Sequence, residues 1–344
     1  MNDMSSHPPA AGFGASPDAA PLLSEKLEDA LDGVHVHEDG LTASVNGRTV
    51  TGTSPLVLSG QLATALYQVI HVGKPARVEE SREGDKDRGA AALDRDLEAD
   101  LAGAVPHRYT RHRVPVLADA PSGPIVGLSG VRVRLEPHRL VEEGAGSPHE
   151  ATVLVAAARP SLSPGFFLAD GSTPLAEDDP VLRVYVHVRT PEAAVEAWSK
   201  ALEYLEAQSV PYRAKASSSR GLLPRRDGVV VYMGSRHQAA LPGLARAVTG
   251  TGGLGSDCSP FTRALAPGVA VAWEPDDDRP GMRNTSLGEH RSRAIASGLV
   301  RKAIRPDGRL RAAFVRDALL EAGIDPSDPS RNLSSPPLIS LVGK

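Results

Sequence analysis

Apolar positions in the second half of the chain fall at strand and helix periods with few breaks. In VLRVYVHVR, Leu182, Val184, Val186 and Val188 face one way and Arg183, Tyr185, His187 and Arg189 the other, which predicts a strand. Thr190 and Pro191 then form an N-cap and N1 pair, opening a helix over 191–207 that buries Ala194, Val195, Trp198, Leu202 and Leu205. VPYRAKASS is the next strand, with Arg213 and Lys215 on one face, and RRDGVVVYMG the third. A helix through 238–248, a glycine-rich loop, a short strand at 268–273 and an acidic loop follow. A helix over about 287–303 and another over 309–322 close the pattern, with Gly323 as the C′ residue.

The first half is less regular. Pro21 to Gly33 and Pro55 to Val72 carry leucines at helical spacing, and VHVHEDGLTASVNGRTVTG alternates around Asp-Gly and Asn-Gly turns, predicting small hairpins. EESREGDKDRGAAALDRDLEADLAG is highly charged and helix-prone towards its end, and β-like runs follow at 124–135 and 150–158. The predicted class is α+β: a mixed sheet with flanking helices in the C-terminal half, and a smaller irregular α+β part before it. The predicted division is a disordered tail at 1–20, an N-terminal region over 21–175 for peptide or partner binding, a core over 176–323, and a flexible tail over 324–344.

Composition narrows the function classes. The chain has 344 residues with Lys+Arg 38 against Asp+Glu 42, a balance that argues against broad nucleic-acid binding. Cys258 is the single cysteine, so neither an internal disulfide nor a cysteine-based zinc site is available. No run approaches the ~18 apolar residues of a membrane span, and the N-terminus lacks the basic and apolar regions of a secretory signal. A cytoplasmic location is expected. Several motif matches fail on context. GTGGLG, Gly250 to Gly255, follows a helix where a dinucleotide loop follows a strand, so a flexible loop is expected. His35 and His37 have no evident third ligand, and Asp276 to Asp278 reads as a solvated turn.

One constellation stands out. Successive strands offer Tyr185 and His187, then Arg213 and Lys215, then Arg225, Arg226, Asp227 and Tyr232. The helix opening SLGEHRSR adds His290, Arg291 and Arg293, with Ser286 and Glu289 as a capping box. Arginines beside free amides at a helix start make a phosphate-type site, whereas the same residues on solvated faces make nothing. Were the segments to converge, the set suits β-elimination of phosphate from phosphoserine or phosphothreonine. A lysine serves as base only when neutral, a form that neighbouring arginines favour. A histidine or tyrosine protonates the leaving oxygen, and arginines clamp the phosphate. No metal and no cofactor is required.

The segments VPYRAKASSSRGLLPRRDGVVVYMG and SLGEHRSRAIASGLV resemble the HopA-type effector family, first described among type III secreted effectors of plant pathogens. RVYVHVRTPEAAVEAWSKALEYLEAQ and FTRALAPGVAVAWEP fit as well, so the resemblance covers about 180–303, with a fainter match in LATALYQVIHVG. Stand-alone bacterial members are similar to the lyase component of class V lanthipeptide and thioamide-containing pathways. The resemblance implies a phosphorylated ribosomal precursor peptide as substrate, dehydroalanine or dehydrobutyrine as product, and a separate kinase-like protein as partner, with a cyclase as a further candidate. It implies Lys215 as base, Arg226 and Arg291 as phosphate clamps, and His290 as phosphate ligand or acid. His187 is an alternative acid, and Arg213, Tyr232 and Arg293 stand in a second rank. A non-catalytic effector-like or scaffold protein is the competing expectation.

Overall fold

The computed structural model describes residues 21–75, 94–121, 123–128, 130–143, 149–283, 285–305 and 307–338. The predicted tail at 1–20, the last residues (339–344) of the tail predicted over 324–344, and most of the charged segment before residue 94 lie outside these. Helix α1 (Glu25–Leu31) leads into a three-stranded sheet of β1 (Val34–Val36), β2 (Thr42–Val45) and β3 (Arg48–Thr51). Helix α2 (Pro55–Leu66), capped by Ser54, continues as wider π-helical turns over Tyr67–Val72 and stops at Gly73 with φ 86°. After α3 (Arg95–Gly103), a second sheet is built from β4 (Tyr109–Ala118), β5 (Ile125–Leu128), β6 (Val131–Arg134), β7 (Leu140–Glu143) and β8 (Glu150–Ala156), in the order β6-β5-β4-β8-β7.

The remaining strands form the central sheet: β9 (Ala158–Ser163), β10 (Phe166–Asp170), β11 (Val181–Val188), β12 (Tyr212–Ser217), β13 (Arg225–Gly234), β14 (Arg263–Ala266) and β15 (Val269–Trp273). Its order is β14-β15-β11-β13-β12-β10-β9, and every pairing is antiparallel. Among them run α4 (Pro191–Ala207) and α5 (Leu241–Val248), and after them α6 (Leu287–Ile304) and α7 (Arg311–Glu321). The α+β class is as the sequence pattern predicts.

Both faces of this sheet are covered. On one, Leu182, Val184, Val186 and Val188 pack against Trp198, Leu202 and Leu205 of α4, with α3 and α5 beside them. Trp198 is fully buried, and its indole N–H donates to the Leu101 carbonyl at 3.1 Å. On the other, Tyr185, Val230 and Ala272 pack under Leu58, Leu62 and Leu66 of α2, Ile295 and Leu299 of α6, and α7. The polar face of β11 is therefore not solvated: Arg183 and Tyr185 are both buried.

Two predicted boundaries move. β9 and β10 precede residue 176 yet complete the central sheet, and α2 helps to cover it, so the core draws on both sides of the expected 175/176 division. The segment from Ile324, expected to be loose, is tied down instead: Ile324 bridges Asn332, and Ser330, Asn332 and Ser335 are buried. No helix among the described residues is long and apolar enough to cross a membrane.

Candidate functional site

Antiparallel register sets two rows of side chains on the face beneath α2 and α6. Arg213, Tyr232 and Arg183 lie opposite one another on β12, β13 and β11. Lys215, Val230 and Tyr185 form the next row, with Leu168 of β10 beyond Lys215. Aromatic rings separate the cations. The Lys215 ammonium sits 4.5 Å from the centroid of the Phe166 ring and 6.0 Å from that of Tyr232. Arg225 lies 5.0 Å from the same Phe166 ring, and Arg183 lies 5.1 Å from Tyr232. Such stacking holds a cation without neutralising it.

The arginines around these rows already have anions. Arg183 makes a two-pronged ion pair with Glu274. Arg225 holds Asp227 through two bonds of 2.8 and 2.9 Å, and Arg213 donates to Asp170 at 2.6 Å. Lys215, half-buried, has no hydrogen-bond or ion-pair partner among the described residues. Among these cations it is the one left open to a ligand.

The π-helical turns of α2 build the floor beside it. Tyr67 Oη accepts from Arg225 at 3.3 Å and donates to Asp227 at 3.5 Å. Four residues on, His71 is enclosed by the Tyr185 ring at 5.5 Å, edge-on, and the Phe261 ring at 5.9 Å, stacked, with Nδ1 3.0 Å from Ser259 Oγ. Burial lowers the His71 pKa to about 4 despite the pull of Asp227, so the ring is neutral at neutral pH. Burial works against the Asp227 carboxylate, but its bonds with Arg225 outweigh that and hold its pKa below the usual carboxylate range. Burial, with Asp227 nearby, raises the pKa of the Tyr67 hydroxyl and keeps it protonated. Gly288 of α6 lies directly above: a Cβ there would stand 2.3 Å from His71 and 2.7 Å from Tyr67. The glycine lets the helix start descend onto this cluster.

The structure divides the expected site residues into three groups. Lys215, Tyr232 and Arg213 share one face. His187 and Arg226 meet elsewhere, through Asp257: His187 Nδ1 is 2.9 Å from one carboxylate oxygen and Arg226 Nε 2.5 Å from the other. Arg226 also donates to the Ile70 carbonyl at the end of the α2 turns. The GTGGLG loop lies against this corner, where Gly255 N donates to the His187 carbonyl and Leu254 bridges Val188. It therefore straps the end of β11.

His290 and Arg291 form the third group. Arg291 is fully buried; Nε donates to the Pro329 carbonyl at 3.0 Å, one terminal nitrogen to Asn332 at 2.9 Å, and the other to His290 Nδ1 at 2.7 Å. His290 Nε2 lies 2.8 Å from Asp277, which also binds Arg279. With Nδ1 accepting from an arginine, the Nε2 nitrogen carries the hydrogen. Burial and then Arg291 lower the His290 pKa to about 4, and burial lowers that of Arg291 to about 9, still cationic at neutral pH. The pair anchors the acidic loop and the chain after Ile324 to α6. Asp277, expected in a solvated turn, is buried in that anchor. Arg293 is exposed and donates to the Gly281 carbonyl. The capping box of Ser286 and Glu289 forms as predicted.

Sequence reasoning missed Phe166, Tyr67 and His71 as neighbours of Lys215. Tyr67 and His71, two rings spaced i and i+4 at the end of a leucine-rich helix, were the available signal.

Comparison with known proteins places a match to the HopA1 effector protein family over residues 157–331, half of the chain. Its limits coincide with the start of β9 and the segment that holds Arg291. A structure of the effector protein from Pseudomonas syringae pv. tomato strain DC3000 aligns at 19% identity and TM-score 0.38, covering 48% of this chain. The alignment spans 62% of that effector, less than two thirds of its length. The effector protein from Pseudomonas syringae pv. syringae strain 61 aligns at 11% identity and TM-score 0.44, over 80% of this chain and 95% of that one. No curated protein matches the chain.

Proposed function

This chain belongs to the HopA1 effector protein family, and from that premise we propose that it is a phosphoserine or phosphothreonine lyase acting on a phosphorylated peptide. The observation that carries the reading is Lys215, a half-buried lysine without a carboxylate, held over Phe166 and flanked by Arg183, Arg225 and Tyr232. In its neutral form Lys215 takes the α-proton. The released electron pair forms the Cα–Cβ double bond, the Cβ–O bond breaks, and phosphate departs with its electrons. Arg213, whose side chain is half exposed, meets the phosphate at the open end of the row. Tyr232, whose ring lies 6.0 Å from the Lys215 ammonium and which is opposite Arg213 in the register, is the proton donor to the leaving oxygen. Tyr67, Asp227 and Arg225 fix the floor and touch no substrate. The peptide is read as a ribosomal precursor in lanthipeptide-type maturation, phosphorylated by a kinase-like partner.

The test is mass spectrometry of a phosphothreonine peptide incubated with the protein. Loss of phosphoric acid is expected, falling about 10³-fold in Lys215→Ala with peptide binding retained. Phosphate replaced by hydroxyl would make the protein a phosphatase. Binding without any mass change would make it a scaffold or effector-like binding protein.

A further inference from the structure

The five-stranded sheet has one covered and one open face. Val114, Val126, Ala151 and Val153 line a small core on the inner side. By alternation the outer side carries Arg111, Arg113, Pro115 and Leu117 of β4, Arg132 and Arg134 of β6, and Gly127 of β5 between them. The Gly127 position is set by neighbours on this outer face: a Cβ there would lie 3.2 Å from Pro115. All four arginines are exposed. None makes an ion pair or side-chain hydrogen bond among the described residues. That contrasts with the central sheet, where Arg183, Arg213, Arg225 and Arg226 are each matched to a carboxylate. A chain of net charge −4 thus gathers unneutralised cations on one sheet face.

β6 is also an edge strand, hydrogen-bonded among the described residues to β5 alone. Its outward N–H and C=O groups have no strand partner among those residues and can pair with an added strand. Charge decides which strand. A second copy of β6 pairing antiparallel would set arginine against arginine, which is unfavourable. A strand with acidic residues at alternate positions would place them beside Arg132 and Arg134, at the same spacing of about 6.8 Å between every second residue. Nucleic acid fits less well, because Glu150 shares this face, opposite Pro115, and a phosphodiester backbone cannot use the strand edge.

We propose that β6 and the arginine face beside it form a docking surface for an acidic peptide segment that adds as an extended strand. This surface lies outside the residues matched by the family and is independent of the chemistry at Lys215.

Fluorescence anisotropy with a labelled ten-residue peptide of alternating Glu and Thr tests it. Saturable binding is expected at low salt, weakened at least tenfold in Arg132→Glu/Arg134→Glu, with no binding of the matching Lys/Thr peptide. Hydrogen–deuterium exchange on the unaltered protein is the second arm, and decides the matter if the variant does not fold. Slowed exchange of β6 amides on adding the peptide supports the proposal. Absence of binding, undiminished binding by a folded variant, or protection confined to other strands would overturn it. So would a single-stranded oligonucleotide that binds as tightly through the same arginines.

Discussion

Arg291 and Lys215 show how differently two basic residues of one sequence are used. Lys215 has an apolar and aromatic cradle with no acceptor, whereas Arg291 has acceptors for each of its donor nitrogens and no access to solvent. Removing a buried cation strands the groups that met it, and the loss exceeds that of a half-exposed side chain. Arg291→Ala is expected to lower the unfolding free energy by about 3–5 kcal/mol, because Asn332, the Pro329 carbonyl and His290 lose their partner together. Lys215→Ala is expected to change it by less than about 1 kcal/mol. Urea denaturation of both variants measures this. A fully stable Arg291→Ala protein that no longer binds phosphopeptide would return Arg291 to the role of anion ligand.

At the scale of elements, α6 depends on how closely its first turn can approach α2. The capping box secures the helix start, but Gly288 sets its height above His71 and Tyr67. Both rings are held by other aromatic contacts and by hydrogen bonds, so neither yields easily to an added methyl group. Gly288→Ala is expected to cost about 1–3 kcal/mol by overpacking and to reduce the proposed elimination activity by moving the floor beside Lys215. Gly60, exposed on α2 with nothing within 4 Å of an added Cβ, is the control. Gly60→Ala is expected to stabilise by about 0.5–1 kcal/mol. Thermal unfolding of the two variants should therefore shift in opposite directions.

For the whole molecule, two histidines are buried in neutral form, His71 beneath the start of α6 and His290 in its first turn. Each has its pKa lowered from 6.5 to about 4, chiefly by burial. Between those values the unfolded chain binds more protons than the folded one, so stability falls as pH falls. The contribution is complete above pH 6.5 and is lost on acidification towards pH 4, up to about 3 kcal/mol for each histidine. Asp227 and Asp277 are held below the usual carboxylate range and stay charged through that window. Urea midpoints measured from pH 8 to pH 4 should drop most steeply between pH 6.5 and 4. The drop should shrink by the His71 share in His71→Phe, which leaves His290, and His112 whose pKa burial also lowers, to titrate. An unchanged pH dependence in that variant would exclude His71 as a source.

The local pattern determined most of the elements. Alternation in VLRVYVHVR, the Thr190-Pro191 start, the Ser286-Glu289 box and Gly323 are all set by neighbours a few residues apart, and each is legible in the chain. The same residues also placed Lys215, Arg213 and Tyr232 on one face, because strand period alone requires it once β12 and β13 pair. What the pattern did not determine is what covers that face. Alternation reports that one side of β11 is polar, but whether water or α2 lies above it depends on contacts far apart in sequence. For the same reason Arg291 and Arg226 read as open cations, although Asn332 and Asp257 occupy them in the fold. For Arg291 and Arg226 tertiary packing decided the neutralisation, because their partners come from segments distant in sequence whose positions no local period encodes.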